Sequence, residues 1–293
     1  MKNSANSQAS HFIAINYHGY HSSKAALDCV RSVLLSAKEL SGQVDITFFH
    51  HSHDPVAAAL AIGLENLRVD RMDFPDNSNG ENLNRQIEQA KGFSYFYRVD
   101  ADDLVSPERF KWQEEHLSKS GCDICGGGLM YRSKETCNEY QVLPPASPGT
   151  ISYLFNRYFL HPTLAFRLET FKIRYGQNRM EDKELALFSF MSGLTIVNDQ
   201  RIYGTYNLNP NARSGKTFAR RDFGLNLAYI RAARSYWALP LAYSLLVLSL
   251  LIHRDKLRII RKILLAKGRR IPVASSGSAC ENAKAEKTLP PSK

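Results

Sequence analysis

Short apolar runs alternate with segments of helical periodicity through the first hundred residues, and this alternation limits the chain to parallel βαβ units. Phe12 to Tyr17 reads as a first strand, after which Ala26, Cys29, Val30 and Val33 recur at helical spacing between Ser22 and Leu40. Val44 to Phe49 predicts a second strand and Leu67 to Val69 a third. A loop of turn formers from Phe74 to Gly80 precedes a helix carrying Leu83, Ile87 and Ala90 on one face, and Phe93 to Val99 follows as a strand. In open sheets of this kind, ligands bind beyond the carboxyl ends of the strands.

The second half is less regular. A strand is expected from Ile124 to Tyr131, a break at Pro144 to Pro148, a strand from Thr163 to Arg167, and a helix from Lys183 to Ser192 stopped by Gly193.

A chain of 293 residues that is 44% apolar and 23% charged can bury a full core, which excludes collagen-like and wholly disordered classes. Of its net charge of +10, residues 254–270 carry +7, eight basic side chains against Asp255 alone. The body is therefore nearly neutral, and a nucleic-acid footprint spread over the fold is not expected. Five scattered cysteines make no disulfide framework and the first ten residues are polar, so a reducing, cytoplasmic context is expected.

Chemistry concentrates at Arg98-Val99-Asp100-Ala101-Asp102-Asp103, which closes an aromatic strand ahead of Ser106-Pro107. Residues two apart on a strand share a face, so Asp100 and Asp102 can converge at its carboxyl end. Two hard carboxylates there suit Mg²⁺ or Mn²⁺ and, through it, a diphosphate; the alternative is a solvated Asp-rich turn capping the next helix. Glu181-Asp182 offers a second acidic pair, which a helix start also favours on electrostatic grounds.

The run from Tyr95 to Leu117, followed by Gly121 to Leu129, resembles the DXD segment of family 2 glycosyltransferases. Four further pieces match in order: Ile13 to Tyr17, Asn79-Gly80 with Asn84, His161-Pro162-Thr163, and Glu181-Asp182 before a helix. The resemblance spans roughly residues 11–215. It implies an α/β fold of the GT-A type, with a mixed, mostly parallel central sheet flanked by helices and a C-terminal helical extension.

Carried over residue by residue, the resemblance makes Asp102 and Asp100 the holders of a Mn²⁺ or Mg²⁺ ion that bridges the phosphates of a nucleotide sugar. Asp182 becomes the general base that deprotonates the acceptor hydroxyl, with inversion at the sugar. Asn16, Tyr17, Asn79, Gly80, Asn84 and Asp100 fall on the nucleotide-sugar side, and Gly126, Gly127, His161 and Glu181 on the acceptor side, where absent side chains would leave room for a sugar ring. His50 or His51 stands where the family carries a base-reading Asp. A UDP-linked donor is favoured, with transfer of a hexose or N-acetylhexosamine to a lipopolysaccharide, an exopolysaccharide or a lipid-linked acceptor. The alternative is a non-catalytic nucleotide-sugar or glycan-binding relative of the same fold.

Other motifs read plainly. Cys122 and Cys125 form a lone CxxC in a strand and are expected as buried thiols, and Gly126-Gly127-Gly128 lacks the Lys-Ser/Thr of a P-loop.

Tyr236 to Ile252 is a 17-residue run without charge, interrupted by Pro240 and followed by the basic block. At about 1.5 Å per residue it is marginal for a bilayer core of about 30 Å. In the basic block, Leu257, Ile260 and Leu264 share a helical face beside Lys256, Arg258, Arg261 and Lys262, the pattern of an interfacial helix on anionic lipid. The expected division is a leader (1–10), a catalytic domain (11–220), a membrane-associating helical segment (221–270) and a disordered tail (271–293). The expected location is peripheral on the inner face of the cell membrane; the alternative is that 236–252 packs against the catalytic domain.

Overall fold

A computed structural model describes residues 9–17, 23–51, 67–72, 79–119, 121–133, 139–176, 180–208 and 219–251. The first strand, β1 (Ser10–Tyr17), has its interior positions buried on both faces, as a central parallel strand must be. Ile13, Ile15 and Tyr17 point to one core and Phe12 and Ala14 to the other. Helix α1 (Ser23–Ala37) covers the first core with Ala26, Cys29, Val30 and Val33, the face its periodicity marks out. Strand β2 (Gln43–His51) runs parallel to β1 and sends Phe48 and Phe49 to opposite cores.

Strand β3 (Arg68–Met72) pairs parallel with β2, helix α2 (Asn79–Gln89) brings Leu83 to the second core, and β4 (Tyr95–Asp100) lies parallel to β1 on its other side. Asn79 and Gly80, expected to end a loop, instead open α2. The two-residue β5 (Leu104–Val105) and helix α3 (Arg109–Lys119) follow.

The second half completes the sheet with β6 (Ile124–Ser133), β7 (Glu139–Val142), β8 (Ala165–Arg167) and β9 (Ile196–Leu208). Among the described residues the nine strands run β3-β2-β1-β4-β8-β6-β9-β5, with β7 added on β6. Strand β8 is antiparallel to both β4 and β6, whereas β6 and β9 are parallel. The carboxyl ends of β1, β2, β3, β4, β6 and β9 therefore share one edge of the sheet. His161–Thr163 forms a turn of 3₁₀ helix, so β8 is shorter at its start than its apolar run suggests.

Helices α4 (Thr150–Leu154) and α5 (Glu181–Met191) cover the second face, and Gly193 ends α5 in a left-handed conformation at φ 70°. Helix α6 (Ala219–Ala232) is joined to them through Tyr229, whose ring stacks on Tyr153 at 4.0 Å. Helix α7 (Leu239–Leu251) buries Ala242 and Leu245 with Ala238 against Ile230 and Leu154. Its other side leaves Tyr243 and Val247 exposed, next to exposed Tyr236 and Trp237.

The uncharged run thus packs one face on the body and presents the other outward. Among the described residues no helix is long and apolar enough to cross a membrane. The leader's first eight residues, the basic block and the tail lie outside the described residues.

Candidate functional site

The sheet brings four predicted positions to one edge. Asn16 at the end of β1 is in register with Asp100 at the end of β4, and Tyr17 with His50 on β2. The Ala101 N–H donates to the Asn16 carbonyl at 2.8 Å, which locks the turn after β4 onto β1. The Asn16 side chain is buried and its Oδ1 accepts from Gln86 Nε2, tying α2 to the same edge. His51 ends β2 and Asn79 begins α2, but their side chains lie outside the described residues.

Asn84 lies on α2, where its amide is fully engaged by one residue: Nδ2 donates to the Tyr175 carbonyl at 2.9 Å and Oδ1 accepts from the Tyr175 N–H at 2.7 Å. A Cβ at Gly80 would collide with the Gly176 carbonyl, so glycine there lets α2 close against the same segment. Both residues hold α2 against the segment 175–176.

Three carboxylates follow β4. Arg98 Nη2 lies 2.8 Å from Asp100 Oδ1, and the Asp102 carbonyl accepts from Asn207 Nδ2 near the end of β9. Asp103 is 3% exposed, and neither of its carboxyl oxygens has a hydrogen-bond partner among the described residues. Burial, and then the fields of Asp100 and Asp102, push its carboxyl well above the usual range.

A buried carboxyl without partners beside two others is a place where a hard divalent cation would relieve both the desolvation and the repulsion. Among the described residues no three His, Cys, Asp or Glu side chains surround a common point. A cation held here by two carboxylates would take the rest of its oxygen shell from a bound ligand or water, as Mg²⁺ commonly does.

The second acidic pair opens α5. Asp182 Oδ1 accepts from the Lys183 N–H at 2.8 Å, and burial raises the Asp182 carboxyl above its ordinary value, with Lys183 and Arg98 pulling the other way. Arg98 links the two acidic groups: it is buried, it pairs with Asp100, and it also lies in the field of Glu181 and Asp103. His161 Nε2 lies 3.2 Å from Tyr175 Oη, and burial together with the Arg98 cation holds its imidazole well below the usual range, so it is neutral at pH 7.

Glycines 126 and 127 have a packing reason. A Cβ at Gly126 would stand 2.6 Å from Asn198 Oδ1, and one at Gly127 would enter the Tyr203 ring. The space left by their absent side chains is filled by neighbours on β9, where an open acceptor cleft was expected. Cys122 and Cys125 are buried free thiols.

A cavity of about 740 Å³ lies away from the carboxylates at the amino end of β4, between Tyr95, Lys91, Arg167 and Phe171. Sequence reasoning placed Arg98 and Asp103 in the acidic run but gave neither a role, although Arg98 shares a strand face with Asp100 two residues on, and it missed Tyr175 and Lys183.

No family model and no curated protein matches the chain. Solved structures do. Residues 1–349 of S. aureus TarS in complex with UDP-GlcNAc match at a TM-score of 0.57 and 14% identity, over 76% of this chain and 66% of that one. The same fragment in complex with UDP matches at 0.54 and 15%, over 76% and 65%. The chain thus spans just under two thirds of these TarS fragments. The mannosyltransferase PcManGT from Pyrobaculum calidifontis in complex with GDP-Man and Mn²⁺ matches at 0.52 and 13%, over 88% of this chain and 79% of that one. The fold is of the GT-A type.

Proposed function

We propose that the chain is an inverting glycosyltransferase that moves a sugar from a nucleotide-diphosphate donor, favoured as UDP-linked, to a hydroxyl of a cell-surface glycan or lipid-linked acceptor. The observation that carries this reading is the common edge. Asp100 ends β4 with Asp102 and Asp103 in the turn after it, Asn16 stands beside Asp100 on β1, and Arg98 lies between Asp100 and Asp182 on a remote helix. A fold shared with proteins crystallised with UDP-GlcNAc and with GDP-Man and Mn²⁺ supports it.

In this reading Asp102 and Asp100 hold a Mn²⁺ or Mg²⁺ ion, which supplies positive charge for the leaving diphosphate. Asp182 takes the proton of the acceptor hydroxyl as its oxygen bonds to the anomeric carbon. The carbon–oxygen bond to the diphosphate breaks on the opposite face, and its electron pair leaves with the nucleotide. A carboxyl raised towards neutrality by burial is a stronger base than a solvated one, which suits that task. Asn16, Tyr17 and His50 form the nucleotide side, with His51, Asn79, Gly80 and Asn84 bordering it, and His161 and Glu181 lie towards the acceptor. The exposed face of Tyr236, Trp237 and Tyr243, followed by the basic block, holds the enzyme peripherally on the cytoplasmic face of an anionic membrane.

Nucleotide release from UDP-, GDP-, dTDP- and CMP-sugars with Mn²⁺ tests the reading. Asp182→Asn is expected to lower turnover at least about 100-fold while leaving donor affinity within a few-fold. Undiminished turnover removes Asp182 from the base role. Donor binding with no turnover in the wild type, across acceptors, favours the non-catalytic relative.

A further inference from the structure

The residue after the candidate base has an unusual environment. Lys183 is 1% exposed, and its Nζ donates to Asp222 Oδ1 at 2.6 Å and to Asn226 Oδ1 at 2.6 Å, both on α6. It also lies 4.9 Å from the centre of the Tyr153 ring. The Tyr153 hydroxyl donates to the Lys183 carbonyl, and its ring stacks on Tyr229 of α6. The first turn of α5 is thereby held from three sides, by α4, by α6 and by its own N–H on the Asp182 carboxylate.

A buried ion pair contributes little net stability compared with an apolar pair of the same shape, so stability alone does not account for a lysine here. Its position does account for it, since it places a fixed cation one residue from Asp182.

We propose that Lys183, clamped to α6 by Asp222 and Asn226, is a positioning residue for Asp182, and that the helical segment beginning at Ala219 is part of the transfer site rather than an appendage. This rests on the reading of Asp182 as the general base. The clamp fixes the helix turn that aims the Asp182 carboxylate, and the ammonium keeps that half-buried carboxylate available in its ionised form.

Among the described residues, the other groups around Asp182 are Arg98 on β4, Tyr153 on α4, Tyr158 and Tyr175 in the connecting segments, Glu181 and Glu184 on α5, and Asp222 on α6. Arg98 and Lys183 are the cations among them, and Lys183 has the larger effect on Asp182.

The test replaces the whole clamp by apolar groups, Lys183→Met with Asp222→Leu and Asn226→Leu, so that no partner is left buried and alone. The Asp182 titration is then followed by carboxyl ¹³C NMR, assigned with Asp182→Asn. The expected result is an Asp182 pKa higher by about one unit or more, as loss of a close opposite charge produces. With it, the acid limb of the pH profile of nucleotide release moves up by the same unit, about tenfold in proton concentration, with donor KM within about twofold.

Asp222→Asn is the milder variant and keeps Lys183 bonded to Asn226. It leaves the ammonium less offset and moves the Asp182 pKa down instead. Folded variants in which neither shift occurs overturn the proposal. If nucleotide release survives Asp182→Asn, the base reading fails on its own, while the NMR titrations still decide whether Lys183 acts on Asp182.

Discussion

Arg98 and Asp100 stand two residues apart on β4 with Nη2 and Oδ1 2.8 Å apart, and both side chains are largely withdrawn from solvent at 8% and 16% exposure. Removing the cation leaves Asp100 without its ion-pair partner. Arg98→Met is expected to lower the unfolding free energy by about 3 kcal/mol, the size seen when one partner of a buried pair is deleted. Urea denaturation at pH 7 checks it, and a loss under about 1 kcal/mol would mean the pair is effectively solvated.

Asp182 makes stability depend on pH in a direction that can be worked out. Burial raises its native pKa above the unfolded value of about 3.9. Its contribution is full below the unfolded value and is lost as pH rises through the native one, because the ionised form is disfavoured in the folded chain. Asp182→Asn is therefore expected to melt above wild type at pH 8, with the difference vanishing towards pH 4. A variant less stable than wild type at pH 8 would contradict this.

Much of the fold is legible in the sequence where burial is regular. The strands β1, β2 and β4 show as apolar runs because both their faces are covered, and α1 shows because one face is. Strand β9 is hidden by Asn198-Asp199-Gln200-Arg201, four polar residues in a strand interior. Their partners come from distant segments: Asn198 Nδ2 donates to the Pro145 and Tyr158 carbonyls, and Asp199 Oδ2 lies 3.1 Å from His116 Nε2 on α3. No local pattern announces such partners.

The site divides in the same way. Asp100 and Asp102 are readable from a strand end, whereas Tyr175 and Lys183 matter through contacts with Asn84, Asp222 and Asn226 that only the folded chain makes.

Gly127→Ala separates a packing role from an acceptor role. The added methyl would enter the buried Tyr203 ring, and overpacking of this kind costs about 1–3 kcal/mol. Thermal unfolding is expected to register that loss. Unchanged stability with impaired acceptor use would return Gly127 to the acceptor side.

Membrane attachment is testable on the full chain. Tyr236, Trp237 and Tyr243 are 58%, 65% and 54% exposed, and the basic block follows directly. Sedimentation with phosphatidylglycerol vesicles is expected at low salt and release at high salt, because the attraction is screened. Trp237→Ser with Tyr243→Ser is expected to weaken binding on the order of tenfold. Protein left in the supernatant at low salt would contradict the membrane proposal and leave the transferase reading intact.

The central claim is a metal-dependent nucleotide-sugar site at the ends of β1 and β4. Thermal unfolding of the wild type and of Asp102→Asn, with and without Mn²⁺ and each of UDP-, GDP-, dTDP- and CMP-linked sugars, tests it most directly, since a ligand bound only by the folded state raises the melting point. The account predicts a rise of several degrees with one nucleotide class, requiring both Mn²⁺ and Asp102. Folded wild-type protein that shows no rise with any donor, or the same rise in Asp102→Asn, would contradict it.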